Sequence, residues 1–282
     1  MTIDVGGSAT VKTYVTNLTA TAIQLKPIEN DFVSGDEKGT PALILDENSY
    51  APTHSLKRFM VPLSNVTIPA NDTKEVDVTV KVPKSAQAGG YFGAIRFAPA
   101  VTSGDKSVNL SSSVASLILL TVPGDTVEKL TLTNFDIQQN GGTGSNFRTP
   151  NDLSLLVRFK NEGNVQETPF GQVYVQKGKK TVYSYSFNNK NPRDAVLPDS
   201  ARRWNIPIKG FGKFGKYTVA ATFGYGSKGQ TVQITKTVWI IPTAVIMAIV
   251  IGIIALAAII LAVWVFLRNY KRRILKSSRR RY

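Results

Sequence analysis

The feature that most constrains this chain is an uncharged apolar run close to its C-terminus. No residue between Lys236 and Arg268 is charged, and Thr243–Leu267 consists almost entirely of aliphatic side chains. As a helix this run is about 37 Å long, slightly more than the ~30 Å hydrocarbon core of a bilayer. A helix satisfies its own backbone hydrogen bonds, as lipid requires. The run therefore predicts a transmembrane helix over residues 240–267, and not the buried core helix of a soluble protein.

The residues that flank the run predict its orientation. The tail, residues 268–282, holds no acid and eight basic residues: Arg268, Lys271, Arg272, Arg273, Lys276, Arg279, Arg280 and Arg281. The positive-inside rule places this tail in the cytoplasm and the N-terminal bulk outside. We expect a single-pass protein of the cell membrane with the bilayer as a partner. The side chains predicted to lie at the membrane interface are Trp239, Trp264, Tyr270, Arg268, Lys271, Arg272 and Arg273.

The distribution of charge excludes one functional class. The net charge is +15, and the tail supplies more than half of it, so the basic pI does not indicate binding of nucleic acid. An extracellular N-terminus requires a signal peptide, and the first residues, MTIDVGGSATVKTYV, have neither a basic n-region nor an apolar core. We therefore expect that the recorded start is internal or that the chain is processed.

Residues 1–239 have the pattern of an all-β protein. Val76–Val82 alternates strictly between apolar and polar residues, as a half-buried antiparallel strand does. Further short strands are expected at Ser8–Val15, Thr21–Leu25, Tyr91–Phe97 and, as one or two strands, within Ser107–Val122. Turn residues separate them, and this spacing predicts a first Ig-like β-sandwich domain over residues 1–124. The segment Asp31–Phe59 is expected to be a long, irregular, solvated loop.

A second sandwich domain is predicted over residues 125–239. Its expected strands are Val127–Ile137, Leu153–Phe159, Gly171–Gln176, Thr181–Phe187, Arg203–Ile208, Lys216–Tyr225 and Gln230–Trp239. Gln138–Thr149 is rich in Gly, Asn and Ser and is expected to be a mobile loop. The fold class is therefore two tandem Ig-like sandwiches followed by one transmembrane helix. Because the last strand runs directly into the helix, the second domain is expected to lie close to the bilayer.

The residue types that metal binding and catalysis usually require are largely missing. The chain has no Cys and a single His, His54, so we expect no metal site, no cofactor and no catalytic residues. Gly210–Lys216 fits two phosphate-binding patterns, but a strand follows it where those motifs need a helix. Four Asn-x-Ser/Thr sequons, Asn17, Asn65, Asn71 and Asn109, are ordinary turn residues unless the host glycosylates them. The chain is not expected to be an enzyme, with one open alternative, a hydrolase of wall polymers that uses paired carboxylates.

One passage of the first domain is similar to a known family. Val78–Phe97 reads VTVKVPKSAQAGGYFGAIRF, an alternating strand followed by VP-x-x-A-x-x-G-G-Y-x-G-x-I. It resembles the peptidoglycan-binding domain of the WxL-interacting protein family of Gram-positive surfaces. Gly7–Val11, Leu197–Trp204 and Phe214–Val219 resemble the same architecture. The resemblance implies a second, host-binding domain, and then a membrane helix with a basic tail.

These features predict a non-enzymatic, membrane-anchored cell-surface protein with an adhesive role. Its expected partner is a cell-wall polymer or another surface protein. The residues proposed for a ligand face are Tyr91, Tyr174, Tyr183 and Tyr185, because aromatic and polar residues alternate around the last three. The alternative is an accessory or assembly subunit of a membrane complex, with the small residues of the helix forming a packing face.

Overall fold

The computed structural model of the chain describes residues 1–100 and 114–278, with the side chains of 272–278 excepted. The beginning of the predicted Ser107–Val122 strand segment, the Asn109 sequon, the side chains of Arg272, Arg273 and Lys276, and residues Arg279, Arg280 and Arg281 lie outside this description. The described part is mostly strand, followed by one C-terminal helix. Its strands form two β-sandwiches, here called the first sandwich (strands within residues 8–122) and the second sandwich (strands within residues 130–240).

The first sandwich places a narrow sheet over a wider one. The narrow sheet pairs β1 with β5, and in the wider sheet the order is β3-β2-β6-β7, with β4 also pairing with β2. Val76, Val78 and Val80 of β5 point inward and are buried, which confirms the strand predicted from their alternation. The strands are β1 Ser8–Thr16, β2 Ile23–Ser34, β3 Pro41–Leu43, β4 Val66–Ile68, β5 Thr73–Lys81, β6 Gly89–Pro99 and β7 Val114–Val122, with a 3-10 turn at Lys57–Phe59.

The second sandwich has two broad sheets. One has the strand order β10-β16-β15-β12-β13 and the other β14-β11-β8-β9. In its core the Phe223 ring meets the Phe159 and Phe187 rings edge-on, those two rings pack at a tilt, and the ring centroids lie 5.0–6.3 Å apart. The strands are β8 Leu130–Gln139, β9 Gly142–Gly144, β10 Asn146–Phe147, β11 Leu153–Asn161, β12 Phe170–Lys177, β13 Lys180–Phe187, β14 Ala201–Pro207, β15 Gly215–Tyr225 and β16 Gln230–Ile240.

Two segments that were expected to be loops contain short strands. Within Gln138–Thr149, β9 pairs with β8 and β10 pairs with β16, and the Phe147 side chain is buried in the second core. Within Asp31–Phe59, β2 continues to Ser34 and pairs with β3. The prediction of a loop over Gln138–Thr149 was therefore wrong in part. Within Asp31–Phe59, residues 35–40 and 44–54 have no helix or strand, as expected, but Asp31, Ala51 and Leu56 are buried and not solvated.

The C-terminal helix α1, Thr243–Ser278, starts three residues after β16 ends. The Pro242 carbonyl accepts from the Val245 and Ile246 N–H groups, as expected of a proline at a helix start. By length and composition, Thr243–Lys271 is able to cross a membrane. The Ile241 N–H donates to the Phe147 carbonyl at 2.8 Å, so the start of the helix is attached to the second sandwich.

Candidate functional site, a cleft between the two sandwiches

The two sandwiches meet along the first residues of β6. The Gly90 N–H donates to the Asn164 carbonyl at 2.7 Å, and the Asn164 side chain donates to the Ala88 carbonyl at 3.2 Å. The Gln166 amide donates to the Thr121 hydroxyl at 2.9 Å. The neighbouring Gly89 has a φ of +151°, which favours glycine, and a Cβ there would lie 3.0 Å from the Asn164 carbonyl oxygen, so this close approach depends on glycine.

A second contact joins the sandwiches through the β2–β3 hairpin, here called the Glu37 latch. The Arg158 guanidinium donates two hydrogen bonds to the Glu37 carboxylate, at 3.0 and 2.6 Å. The Arg203 N–H donates to the Glu37 carbonyl at 2.7 Å. The hydrogen bonds from Arg158 hold the pKa of Glu37 below its usual value. The hairpin also packs on Arg202, because a Cβ on Gly39 would collide with that guanidinium.

A cleft of about 940 Å³ lies between these two contacts. One wall is the outer face of the wider sheet of the first sandwich, where Phe32, Phe92 and Ala94 form a small apolar cluster. Leu119 packs against this cluster, and Leu117 lines the cleft with 43% of its surface exposed. This wall is therefore mostly apolar.

Strand β7 lies at the end of its sheet and borders the cleft. The N–H and C=O groups of Thr121 point away from β6 and bond to Ile3 and Met1, and the Leu119 carbonyl accepts from the Met1 amine. Because backbone groups on one edge recur every second residue, those of Ala115 and Leu117 point the same way. Within residues 1–100 and 114–278, no strand pairs with this outer edge at residues 115–118.

The opposite wall comes from the connection between β13 and β14 and carries charge. The Asp194 carboxylate pairs with the Arg202 guanidinium at 2.6 Å and with the Lys190 ammonium at 2.8 Å. Burial acts to raise the pKa of Asp194, but the two cations outweigh it and the pKa lies below its usual value. With Arg193 also lining the cleft, cations outnumber carboxylates on this wall.

A buried carboxylate, Glu167, lies directly after Gln166 in the same segment. Its side chain is 3% exposed and accepts a hydrogen bond from the Gly226 N–H at 3.1 Å. Burial raises the pKa of Glu167 to about 7, and the nearby Glu128 carboxylate adds to the rise, while the Gly226 N–H opposes it. The second sandwich therefore holds an acid that is half-protonated close to neutral pH.

The structure does not place the four tyrosines of the predicted ligand face together. Tyr91 belongs to the first sandwich, where its ring packs on Phe59 at 4.6 Å and its hydroxyl donates to the Gln87 carbonyl. Tyr183 and Tyr185 pair with the buried Val175 and Val173 and so share their side of the sheet, whereas Tyr174 points to the other side. A ligand face at these residues stays a prediction.

The residues predicted for a membrane interface occupy β16 and α1. Trp239 is exposed near the end of β16, with the Lys216 ammonium 6.0 Å from its ring centroid. On α1, the Arg268 guanidinium lies over Trp264 and the Tyr270 ring stacks on Phe266. Lys271 is exposed near the end of the described side chains. These positions are where an interface is expected, and the assignment stays a prediction.

Sequence reasoning missed a buried carboxylate that organises the segment before β4. Asp31 of β2 is fully buried and accepts hydrogen bonds from the Ala51 N–H, the Ser55 hydroxyl and the Lys57 N–H. His54, half-buried in this segment, lies 2.6 Å from the Gly90 carbonyl through Nδ1. Among the described residues, no group of three or more His, Asp or Glu side chains is placed to hold a metal ion.

Comparison with known proteins gives structural neighbours only. No protein-family model and no curated protein matches the chain. A chaperone–tip adhesin complex that is vital for synergistic activation of CFA/I fimbriae biogenesis contains a similar chain, with 12% identity, a TM-score of 0.41 and coverage of 83% of this chain and 95% of that one. The CsuC–CsuE chaperone–adhesion subunit complex of Acinetobacter baumannii shows 10% identity, a TM-score of 0.38 and coverage of 83% and 93%. The CupB2 chaperone of Pseudomonas aeruginosa shows 8% identity, a TM-score of 0.34 and coverage of 84% and 96%.

These findings correct two predictions. The resemblance to the WxL-interacting family is wrong, because no family model matches and the structural neighbours include fimbrial chaperones. The function drawn from it, a membrane-anchored surface protein that binds cell-wall polymer, or else a complex subunit, is wrong with it, whereas the expected surface protein partner agrees with the adhesin subunits named for these neighbours. The passage Val78–Phe97 misled because its pattern has packing reasons: Val78 and Val80 fill the core, and Gly90 contacts the second sandwich. The chaperones named above are not enzymes, in agreement with the expected non-enzymatic class.

Proposed function

We propose that this chain binds an extended segment of a partner protein in the cleft between the two sandwiches, by strand addition to β7. The observation that carries the proposal is the outer edge of β7. Its backbone groups at Ala115 and Leu117 point away from β6, and the same strand turns Leu117 and Leu119 toward the cleft. An added strand satisfies such an edge with main-chain hydrogen bonds, and alternate side chains select the sequence.

The walls of the cleft define the segment that fits. The apolar side chains of Phe32, Leu117 and Leu119 line the cleft and favour aliphatic or aromatic side chains at every second position of the partner. The segment has no proline where an N–H must reach the Leu117 or Ala115 carbonyl. The volume of about 940 Å³ accommodates several side chains. Adhesin subunits are named as partners of the structural neighbours, and the proposal for this chain rests on its own cleft.

A peptide experiment on the full chain in nanodiscs tests strand addition. The probes are fluorescent ten-residue peptides with Val, Ile or Leu at alternate positions and Ser or Thr between them. The same peptides, N-methylated at alternate residues, keep the side chains and lose the hydrogen bonds of one edge. We expect anisotropy to show saturable binding of the unmethylated peptides, and methylation on one of the two alternate sets of residues to weaken it at least tenfold.

Two variants locate the binding. Leu117→Glu places a charge in the apolar wall and is expected to weaken peptide binding at least tenfold. Val114→Glu is the matched control on the same strand, at a side chain that is 72% exposed and does not line the cleft. Equal effects of the two variants, or equal binding of methylated and unmethylated peptides, would contradict the proposal.

We also propose the finer features of the architecture and topology. Both sandwiches are taken as Ig-like domains, over residues 1–124 and 125–239, on the basis of their facing antiparallel sheets. Residues 240–267 span the cell membrane, with the sandwiches outside and residues 268–282 in the cytoplasm, supported by the apolar helix and its basic end. The predicted interface residues, from Trp239 to Arg273, then contact the bilayer.

A further inference from the structure

One end of the second sandwich gathers three connections around the start of α1. Gly215, the first residue of β15, pairs with Ile240, the last of β16. The turn between β12 and β13 reaches the same end, because the Lys177 ammonium contacts the Phe214 carbonyl at 3.4 Å. Ser145 lies there too, since its carbonyl accepts from the Trp239 N–H at 2.7 Å. The strand registers therefore fix one end face beside the helix.

This end face is strongly basic. We call it the basic end face and define it by seven exposed basic residues: Arg148, Lys177, Lys179, Lys180, Lys209, Lys213 and Lys216. The segments 176–182 and 208–217 contain no acid. One carboxylate, Asp152, belongs to the same end, because the neighbouring Leu153 carbonyl accepts from the Ile208 N–H. The surrounding positive charge far exceeds what this acid balances.

Aromatic side chains are interleaved with these cations. Phe214 is 53% exposed and Trp239 is 39% exposed. Lys216 lies over the Trp239 ring, and Lys177 lies 5.4 Å from the centroid of the Tyr217 ring. Aromatic rings with an apolar body, beside cations on long stems, are the combination found where proteins contact a membrane surface.

The attachment of α1 holds this face near the membrane. Only two residues separate β16 from the helix, and the Ile241 backbone is bonded to Phe147 and Arg148. A tether this short keeps the lysines at a high effective concentration over the headgroups. Attraction to anionic lipid falls off within a Debye length, about 8 Å at physiological salt. The face can therefore respond to the charge of the outer leaflet.

We propose that the basic end face binds the headgroups of anionic phospholipids in the membrane that α1 spans, and holds the second sandwich against the bilayer. This rests on the membrane topology proposed above and is independent of peptide binding in the cleft. Continuity with the helix and charge complementarity select lipid as the occupant. The basic tail after Arg268 belongs to the opposite leaflet in this topology, so the two basic regions act separately.

Spin labels on the full chain test this docking, because the chain has no cysteine of its own. Ser145→Cys places a nitroxide label on the basic end face, and Ser227→Cys places one on the turn between β15 and β16, at the far end of the same sandwich. Ala257→Cys reports the middle of α1. Each is measured in phosphatidylcholine nanodiscs and in nanodiscs with 30% phosphatidylglycerol. The readout is collision with a water-soluble nickel reagent.

Docking predicts that accessibility at Ser145→Cys falls severalfold when phosphatidylglycerol is present and recovers in 0.5 M salt. Ser227→Cys stays unchanged. A triple Lys→Gln variant at Lys179, Lys180 and Lys213 tests the charges. Each lysine contributes about fivefold to partition onto an anionic surface, so the triple variant lowers the docked-to-free ratio on the order of 100-fold. The matched control, Lys→Gln at Lys81, Lys84 and Lys228, leaves it unchanged.

Three results would overturn the proposal. If Ser145→Cys is equally accessible in both nanodiscs while Ala257→Cys reads mid-bilayer, the anchor stands and the docking is wrong. If Ala257→Cys is accessible to nickel, the anchor itself is wrong and the docking with it. If polyglutamate protects Ser145→Cys equally in phosphatidylcholine discs, the face is a general polyanion surface and lipid is not its occupant.

Discussion

The two sandwiches differ in how completely their sheets are covered. In the second, sheets of five and four strands face each other, and phenylalanines from both fill the space between them. In the first, the two-stranded β1-β5 sheet covers one face of a wider sheet, and the outer face of that sheet carries the apolar cluster of Phe32, Phe92 and Ala94. Leu197 of the second sandwich packs on this cluster. The first sandwich therefore needs the second to complete its burial, and the cleft lies where that completion is partial.

This difference predicts unequal costs for removing one phenylalanine from each sandwich. Phe159→Ala in the second core is expected to lower the free energy of unfolding by about 5 kcal/mol, because three aromatic rings lose a partner. Phe92→Ala is expected to cost about 3 kcal/mol, because its cluster is small and opens on the cleft. Urea unfolding followed through Trp204, 6.3 Å from Phe159, and hydrogen exchange resolved along the chain measure the two costs. Equal costs would show that the outer cluster is packed as tightly as a core.

The second sandwich contains a buried acid, Glu167, whose raised pKa lowers the free energy of unfolding near neutral pH. The folded pKa is about 7 and the unfolded value is 4.5, so the unfolded chain releases this proton at lower pH. Below about pH 4.5 Glu167 is protonated in both states and does not change the free energy of unfolding. As pH rises from there to about 7, its ionisation favours the unfolded chain and the free energy of unfolding falls. Glu167→Gln is expected to raise the free energy of unfolding by about 3 kcal/mol at pH 8 and by almost nothing at pH 4, since each pKa unit is worth about 1.4 kcal/mol.

A urea titration across pH separates this effect from a general one. Glu162→Gln is the control, because the ion pair with Lys129 already holds the pKa of Glu162 below its usual value. That variant is expected to give no gain at pH 8. A gain for Glu167→Gln that is the same at pH 4 and pH 8 would mean that packing, and not ionisation, is responsible.

The sequence predicts what is local and misses what depends on partners far along the chain. The apolar run and the alternation at Val76–Val82 identify a helix and a strand, because each local pattern by itself indicates which side chains face an apolar environment. Asp31 reads as a solvated acid, yet it is buried, because its partners lie at residues 51–57. The spacing of the tyrosines along the chain does not reveal how their strands pair with neighbouring strands. That pairing register decides which face of the sheet each ring occupies. The cleft could not be predicted from the sequence for the same reason, because the Glu37 latch beside it joins residues that are 121 positions apart.

The smallest predicted effect concerns the Glu37 latch, which contributes to the free energy of the contact between the two sandwiches. Arg158 and Glu37 are 28% and 41% exposed at their side chains, so solvent screens their attraction. Glu37→Gln and Arg158→Gln are expected to show a coupling free energy of about 0.5–1 kcal/mol in a double-mutant cycle. The folded pKa of Glu37 is lowered, so the coupling is present above its usual pKa and is lost as pH falls through the folded value.

Glu75→Gln, which breaks a pair with Lys12 inside the first sandwich, is the matched control and leaves hydrogen exchange at Gly90 and Gln166 unchanged. If the cycle gives zero coupling while exchange at those residues is also unaffected, the sandwiches are held by their contact at β6 alone.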